Sequence, residues 1–361
     1  MSTRPFTNET ESIARTILAE FLLDHSRMRL DQPAFAEGFS GATIIRIQID
    51  GEAYCLRRWP IGGLAEQRIR ELHRFLRFID HSGLHVFPLP VTSKEGDTLV
   101  DNGGQLWQLE PWMPGVADFR KSPSDVRLES TMRVLAQVHN IASRYGPTEA
   151  GRKWFSTGLS LPSPAVGERI GILDRWSPER ISHTQAAMQN DRDRSFGEVA
   201  TRILQVIRES HDSLRSSLVS LSTTHIPVHP CLRDIWHDHV LYTGDDVTGV
   251  IDPSAARTES VASDLSRLLG SLLGESNSRW SHALETYEQG RPLSITEHRL
   301  IRVLHVSGVM LGGLTWIDRR LQDRIRTEMM SRVVQRMDEA CRTLEHLKTA
   351  RSDSGEAGRL L

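Results

Sequence analysis

The pattern of apolar residues changes near residue 113, and this change limits the folds open to the 361-residue chain. Before it, short runs rich in β-branched and aromatic residues alternate with turn formers, which is typical of strands. After it, apolar residues such as Leu128, Met132 and Leu135 recur at helical spacing. The segment 110–119 between the two patterns gathers proline and glycine, as linkers do. We therefore predict a small sheet region over 1–113 and a larger, mostly helical region over 114–361.

The first region predicts an antiparallel sheet of about five strands. Two strand-like runs, 42–49 and 52–59, flank Asp50-Gly51, and Asp-Gly between such runs is a strong hairpin signal. The turn formers Asn102-Gly103-Gly104 predict a second pair of strands in the same way. The remaining elements expected here are a leading helix, a short first strand and a helix after the third strand, over 11–25, 34–39 and 65–79.

The second region reads mainly as helices joined by loops. Helical spacing returns over 196–221, and Ser294 with Glu297 fits a capping box at the start of a later helix. Turn formers dominate 145–168, which predicts a long loop. The polar end of the chain, from about residue 350, is expected to be disordered.

Composition excludes several classes of protein. Lys and Arg number 44 against 46 Asp and Glu, so the net charge of −2 argues against nucleic-acid binding through bulk positive charge. No apolar run approaches the ~20 residues of a membrane helix, and the N-terminus has no apolar signal core. Three widely spaced cysteines cannot form a disulfide framework, which favours a reducing compartment. We expect a cytoplasmic protein with neither nucleic-acid nor membrane partners, and the sequence leaves its oligomeric state open.

A dense group of polar residues lies between 229 and 252. Asp234 follows a strand-like run, His239 leads into the next strand, and Asp252 ends the strand after that. A hairpin turning at Gly244-Asp245-Asp246 would place His239 and Asp252 side by side, with Asp234 across the same cleft. A single aspartate near a turn more often caps or solvates a loop. Together, however, the three fit phosphoryl transfer, in which one carboxylate deprotonates the acceptor hydroxyl and further ligands hold Mg²⁺.

These motifs resemble those of the aminoglycoside phosphotransferase and choline kinase family, which are small-molecule kinases. The family's His-Gly-Asp, four residues and Asn become Leu232-Arg233-Asp234, four residues and His239. Its Ile-Asp at a strand end becomes Ile251-Asp252, and Ser263-Asp264-Leu265 resembles its Asp-Leu-Ala helix start. The likeness covers residues 34–320 and implies an α+β, bilobal protein-kinase-like fold, with a small antiparallel sheet plus helix and a larger helical lobe.

The resemblance also implies roles for these residues. Asp234 would be the catalytic base and Asp252 a Mg²⁺ ligand. Asp264 would be a structural carboxylate near the catalytic loop, or alternatively a helix N-cap. His239 replaces an asparagine whose amide oxygen binds Mg²⁺, although imidazole suits other metals better. Three interpretations stay open: His239 binds metal through nitrogen, Asp238 supplies an oxygen instead, or the second metal site is weakened.

The phosphate-binding residues of the family have counterparts in the first region. Gly38 and Gly41 would let the backbone approach the phosphates closely, and Ser40 would add a donor. Arg57 takes the place of the family's lysine on the third strand, and arginine binds phosphate through paired hydrogen bonds. The resemblance further implies a helix glutamate, Glu71 or Glu66, as the partner of that cation, although both could equally be surface residues of an arginine-rich helix.

The adenine-binding linker of the family corresponds to Gln108-Leu109-Glu110-Pro111-Trp112-Met113. Its backbone groups would bind the base, so Glu110 and Trp112 are predicted to contact the nucleotide. Since Pro111 has no N–H, the donor must come from a neighbour such as Trp112 or Met113.

The chain is thus predicted to be an ATP- and Mg²⁺-dependent kinase that phosphorylates a hydroxyl of a small molecule. The alternative is a catalytically impaired nucleotide-binding protein on the same fold, which the departures at Arg57 and His239 favour. A metal-dependent hydrolase is a third interpretation, but it leaves the glycine loop and the hairpin lobe without a purpose. Its residues would be His229, His237, Asp238, His239 and Asp252. The acceptor, and the choice between ATP and GTP, cannot be read from the sequence.

Overall fold

The structure is a computed structural model, and it describes residues 8–21, 29–37, 42–274, 277–325 and 327–353. The chain divides into two compact units. The first unit comprises the residues up to Thr157 together with His237–Ala256, and the second comprises Gly158–Trp236 together with the residues from Arg257 onward. The lobe boundary at residue 113 stays a prediction, and the residues after 353, where a disordered tail was expected, lie outside the described residues.

The first unit contains the predicted five-stranded sheet. The strands are β1 (Arg29–Glu37), β2 (Thr43–Ile49), β3 (Glu52–Arg58), β4 (Val100–Asp101) and β5 (Leu106–Pro111). All neighbours are antiparallel, in the order β1-β2-β3-β5-β4. The expected first strand therefore exists, although it begins earlier in the sequence than predicted.

The hairpin between β2 and β3 forms as the Asp-Gly signal predicts. Asp50 and Gly51 both adopt positive φ, 51° and 90°, which a two-residue type I′ turn requires. The turn fixes the register, so that Ile49 lies opposite Glu52. Since side chains alternate along a strand, Ile45 and Ile47 then point to the same buried face.

The two faces of this sheet carry different kinds of residue. On one face, Ile45, Ile47 and Leu56 pack with apolar residues of helix α1 (Asn8–Leu18) in a buried cluster. The opposite face, which carries Arg57, lies on the side of helix α2 (Glu66–His81), where Ile69 packs against Trp59. The sheet thus has an apolar core on one side and polar residues among the buried groups on the other.

Two further elements complete the first unit. Helix α3 (Asp125–Ala142) begins at Ser124, whose side chain accepts a hydrogen bond from the Arg127 N–H. The hairpin of β8 (Val240–Thr243) and β9 (Asp246–Val250) turns where the sequence predicts, at Gly244 with φ 62°.

The second unit is mainly helical around a small sheet. Its helices are α4 (Pro164–Arg175), α5 (Pro178–Met188), α6 (Arg194–Leu221), α7 (Val261–Leu273), α8 (Asn277–Gly290), α9 (Ile295–Leu321) and α10 (Met330–Asp353). Its strands are β6 (Leu159–Leu161), β7 (Ile226–Cys231) and β10 (Arg257–Glu259), in the order β10-β7-β6. The capping box predicted at Ser294 and Glu297 is present, with both reciprocal hydrogen bonds.

The long loop predicted over 145–168 is wrong in part. Strand β6 forms within it, and helix α4 begins at Pro164, in the first turn, where a missing N–H costs no hydrogen bond. Proline therefore marks a helix start here, whereas the sequence analysis took it as a loop former.

Helix α9 is the one described helix that is long and apolar enough to cross a membrane. Within the protein, 67% of its most apolar stretch is buried, and a helix in the core of a protein can have the same length, composition and burial. Its buried apolar residues, such as Leu304 and Leu311, pack within the second unit.

Candidate active site

Strands β3 and β5 place Arg57 on a buried polar face of the first unit. Their register sets Cys55 opposite Glu110 and Arg57 opposite Gln108. Because side chains two apart share a face, these four residues lie together on the side of α2. Only 9% of Arg57 is exposed, so its charge needs partners within the unit.

Two carboxylates supply those partners. The Arg57 Nη1 donates to Oδ1 of Asp252 at 3.1 Å, and its Nη2 lies 3.5 Å from Oε1 of Glu110. Burial alone would lower the pKa of Arg57, but the negative charges of Glu110 and then Asp252 raise it above its ordinary value. Arg57 is therefore a fixed cation between two acidic side chains.

The helix glutamates expected to pair with Arg57 have other partners, so that expectation is wrong. Glu71 accepts hydrogen bonds from the Tyr145 hydroxyl at 2.7 Å and from the backbone N–H of Thr148 at 3.0 Å. Glu66 pairs with Arg70 one helical turn away, at 2.6 Å. The side chain of Glu110, on the strand next to β3, occupies the role that sequence reasoning gave to the helix.

The β8–β9 hairpin brings His239 and Asp252 to its open end, as the sequence predicts. The backbone carbonyl of His239 accepts the N–H of Ile251 at 2.9 Å, which makes Asp252 the next residue along. Asp252 adopts φ 54°, a left-handed conformation that aspartate tolerates better than most residues. Its Oδ1 also accepts a hydrogen bond from the Ser254 hydroxyl at 3.0 Å.

The electrostatic surroundings keep Asp252 ionised. Burial acts to raise the pKa of its carboxyl, but the charge of Arg57, followed by that of His239, outweighs burial and lowers the pKa below its ordinary value. An ionised carboxylate is the hard oxygen ligand that Mg²⁺ prefers.

The side chains in this part of the first unit fit a magnesium ion unequally. Asp252 offers a carboxylate that is 36% exposed, whereas His239 offers imidazole nitrogen, which suits Mg²⁺ poorly. Asp238, the alternative oxygen donor, is 50% exposed and lies 3.4 Å from the His237 ring nitrogen. Asp252 is thus the residue best suited to hold the metal, and the choice between His239 and Asp238 stays a prediction.

The predicted adenine linker comprises the last residues of β5 and the two that follow, Trp112 and Met113. The Trp112 N–H donates to the carbonyl of Ala53 at 2.9 Å, so the sheet already uses this donor. Because the Trp112 N–H is occupied, the backbone N–H of Met113 is the better candidate to donate a hydrogen bond to adenine. The Trp112 ring is 40% exposed, and the Arg46 guanidinium lies 4.7 Å from its centre. Gly38, Ser40 and Gly41, the predicted phosphate turn, lie outside the described residues.

In the second unit, Asp234 follows a backbone turn held by a buried carboxylate. Asp264, which is fully buried on α7, accepts the N–H of Leu232 at 2.7 Å and that of Arg233 at 2.5 Å. Arg233 adopts φ 65°, and the Asp234 N–H then donates to the Leu232 carbonyl at 2.8 Å. Ser260 is the N-cap of α7, so Asp264 is a structural carboxylate near this loop and the N-cap alternative is wrong.

The side chain of Asp234 is exposed enough to meet a substrate. It is 54% exposed, and its Oδ1 accepts hydrogen bonds from Nη2 and Nε of Arg267 at 3.0 and 3.1 Å. Since Arg267 is itself 52% exposed, the pair stabilises the fold only slightly. The carboxylate of Asp234, which corresponds to the catalytic aspartate of the resemblance, is therefore held only weakly by Arg267.

A mixed fold with this small antiparallel sheet and a mainly helical remainder is that of protein-kinase-like phosphotransferases. Residues 31–300 match the phosphotransferase enzyme family, and the chain belongs to that family. No curated protein matches the chain significantly in sequence.

Solved structures share the fold at low sequence identity. A spectinomycin phosphotransferase, in complex with ADP and spectinomycin, has a TM-score of 0.69 at 11% identity, over 94% of this chain and 98% of that one. A microcompartment-associated aminopropanol kinase gives 0.66 at 13%, over 97% and 100%. An aminoglycoside phosphotransferase from Alicyclobacillus acidocaldarius gives 0.59 at 16%, over 98% of each chain. These likenesses establish the kinase-like fold of the chain.

Sequence reasoning placed Gln108 in the adenine linker only and did not consider His73, although both belong to the surroundings of Arg57. Both are buried, at 3% and 2% exposure, and both belong to the polar face between the sheet and α2. The signal available was the alternation of polar Gln108 and Glu110 with apolar Trp107 and Leu109 along one strand. Such alternation usually marks a solvent-exposed face, whereas here α2 covers it.

Proposed function

We propose that the protein is a cytoplasmic, ATP- and Mg²⁺-dependent kinase that transfers a phosphoryl group to a hydroxyl of a small molecule. The observation that carries the proposal is the buried Arg57, held by ionised Asp252 at the strand positions where the family binds phosphate and metal. Relatives of the same fold were solved with ADP, and with AMP-PNP and Ca²⁺, which supports nucleotide and divalent-cation use here.

The residues of the first unit would act on the nucleotide. Arg57 would donate hydrogen bonds to its phosphate oxygens, where a guanidinium matches their geometry. Asp252 would hold Mg²⁺, whose charge, when it is bound, offsets the negative charge that develops on the transferred group. The glycines at Gly38 and Gly41 and the linker, through the backbone N–H of Met113, would complete nucleotide binding.

Asp234 of the second unit would act on the acceptor. Its carboxylate would accept the proton of the hydroxyl as the acceptor oxygen forms its bond to the terminal phosphorus. The bond between that phosphorus and the bridging oxygen breaks, and ADP leaves. Asp264 would keep this loop in place through the two backbone N–H groups that it binds.

The proposal is tested by measuring phosphate transfer from ATP to a panel of amino alcohols, aminoglycosides and sugars. We expect turnover that requires Mg²⁺, and we expect Asp234→Asn to abolish turnover while ATP still binds. Arg267→Gln serves as the matched control, because it removes the ion-pair partner and keeps the carboxylate. Full activity of Asp234→Asn would contradict the assignment. ATP binding that ignores Mg²⁺, without turnover on any acceptor, would favour the impaired nucleotide-binding protein.

A further inference from the structure

A continuous set of buried polar contacts runs from helix α2 to Arg57 within the first unit. Each of its members is less than one-tenth exposed. The contacts are Thr98 Oγ1 to His73 Nδ1 at 2.8 Å, His73 Nε2 to Gln108 Oε1 at 2.9 Å, Gln108 Nε2 to Glu110 Oε2 at 2.5 Å, and Glu110 Oε1 to Arg57 Nη2 at 3.5 Å. We call this set the relay.

The chemistry of Trp59 fixes the direction of the relay. The indole N–H of Trp59 lies 2.9 Å from Oε1 of Gln108, and indole can only donate. Oε1 must therefore be the amide oxygen, which leaves the NH₂ group of Gln108 facing Glu110. The same oxygen accepts from Nε2 of His73, so Nδ1 of that ring accepts the hydroxyl proton of Thr98.

Glu110 gains a defined position from this direction. One of its oxygens accepts the Gln108 amide, which leaves the other to face Arg57. A hydrogen bond to a charged group is shorter and stronger than one between neutral groups, and the low polarity of a buried site strengthens it further. The Gln108 amide thus fixes one oxygen of Glu110 on the buried polar face of the sheet.

Arg57 depends on such an anchor. Its Nε is buried and has no hydrogen-bond partner among the residues that the structure describes. The plane of the guanidinium is therefore set by its two outer nitrogens, one toward Glu110 and one toward Asp252. Once Asp252 turns to a metal, Glu110 would be the contact that keeps the plane in place.

We propose that Gln108, oriented by Trp59 and His73, is a positioning residue that holds Glu110 against Arg57 and so sets the guanidinium for nucleotide phosphates. This inference rests on the proposed function, because it takes Arg57 as the phosphate-binding cation. Gln108 and His73 touch no phosphate themselves under this proposal, and they act through Glu110.

The test compares the affinities of ATP with Mg²⁺ and of adenosine, measured by titration calorimetry on the full chain. Adenosine has no phosphates, so its affinity does not depend on Arg57. Gln108→Glu keeps an acceptor for Trp59 and His73 but replaces the donor toward Glu110 with a second carboxylate oxygen. We expect ATP affinity to fall about tenfold or more and adenosine affinity to change less than about twofold.

A control variant separates positioning from general loss of stability. Thr131→Val removes a buried hydroxyl of the same unit, which lies 2.6 Å from the Tyr242 hydroxyl and takes no part in the relay. It should lower the melting temperature and leave the preference for ATP over adenosine unchanged. An equal fall of both affinities in Gln108→Glu would overturn the positioning role.

The remaining outcomes are equally decisive. If the wild-type protein prefers ATP and Gln108→Glu keeps that preference, the positioning role is wrong and the proposed function stands. If the wild-type protein binds ATP no better than adenosine, the phosphate role of Arg57 is wrong and the inference falls with it. Should Gln108→Glu not fold, Glu110→Gln removes the negative charge that faces Arg57 while keeping the shape of the side chain, and an unchanged preference in that variant overturns the inference.

Discussion

The guanidinium of Arg57 lies 3.1 Å from the carboxylate of Asp252, although 195 positions separate the two residues in the chain. The contact joins the third strand of the sheet to the end of the β8–β9 hairpin. It brings the residue at the family's phosphate-binding position to the residue at its metal-binding position before any ligand is considered.

Replacing Arg57 should test how far the unit depends on this cation. Arg57→Met leaves the carboxylates of Glu110 and Asp252 without their shared partner, so we expect a loss of about 3 kcal/mol in the free energy of unfolding. Arg57→Lys should lose less, because its single ammonium can meet one carboxylate at a time. Urea denaturation measures both. Arg58→Met, on the opposite face of β3, is the control and should cost less than about 1 kcal/mol.

Acid should destabilise the protein through His73. Burial, the largest influence, lowers the pKa of His73 from 6.5 to about 4. Between these values the unfolded chain binds a proton that the folded chain does not, so the stabilising contribution is complete above pH 6.5 and is lost as the pH falls toward 4. Relative to His73→Gln, the wild-type protein should lose about 3 kcal/mol of unfolding free energy over this range. If the unfolding free energies of the wild-type protein and of His73→Gln, measured by urea denaturation, change in parallel with pH, this role of His73 is wrong.

The amide of asparagine cannot replace the buried carboxylate of Asp264. Both oxygens of Asp264 accept backbone N–H groups, whereas asparagine offers one oxygen and one donor. We expect Asp264→Asn to reduce kcat about a hundredfold through misplacement of Asp234, with the KM for ATP nearly unchanged. Ser266→Ala, a buried change on the same helix, should keep kcat. A fall in kcat that is matched in Ser266→Ala would argue against this role of Asp264.

Gly115 should be the least replaceable of the glycines with positive φ in the first unit. At φ +98°, a Cβ would lie 2.5 Å from Oγ1 of Thr248 and 2.8 Å from the carbonyl of Tyr242. Gly104 has φ +80° but no atom within 4 Å of the same position. Gly115→Ala should therefore cost about 2 kcal/mol more than Gly104→Ala in thermal or urea unfolding. Equal losses of unfolding free energy in the two variants would contradict this, because they would mean that the β8–β9 hairpin can move away from the added Cβ at no cost.

The sequence predicts most of the local elements of the first unit because their signals are local. Asp50-Gly51 selects a type I′ turn by itself, and the β8–β9 turn at Gly244 follows from its neighbours. The family motifs likewise identify Asp234 and Asp252 without knowledge of their surroundings. Turn chemistry and motif spacing both act within a few residues, so one sequence suffices to read them.

The partner of Arg57 could not be read in the same way. Choosing Glu110 over Glu71 depends on how α2 lies on the sheet and on Tyr145 and Thr148, which take up the Glu71 carboxylate. These are contacts between residues far apart in sequence. Periodicity shows which face of a helix is apolar, but it does not show which polar residue on that face finds a given charge.

The order in which the chain is made bears on the site as well. The chain leaves the first unit after Thr157 and returns to it at His237. During translation, the ribosome therefore makes Asp252 only after it has made the intervening part of the second unit. Arg57 and Glu110 both precede this break in the chain, whereas Asp252 follows it. No single continuous fragment of the chain reproduces the first unit alone, so Asp252 arrives late in its assembly and completes the charge pattern around Arg57.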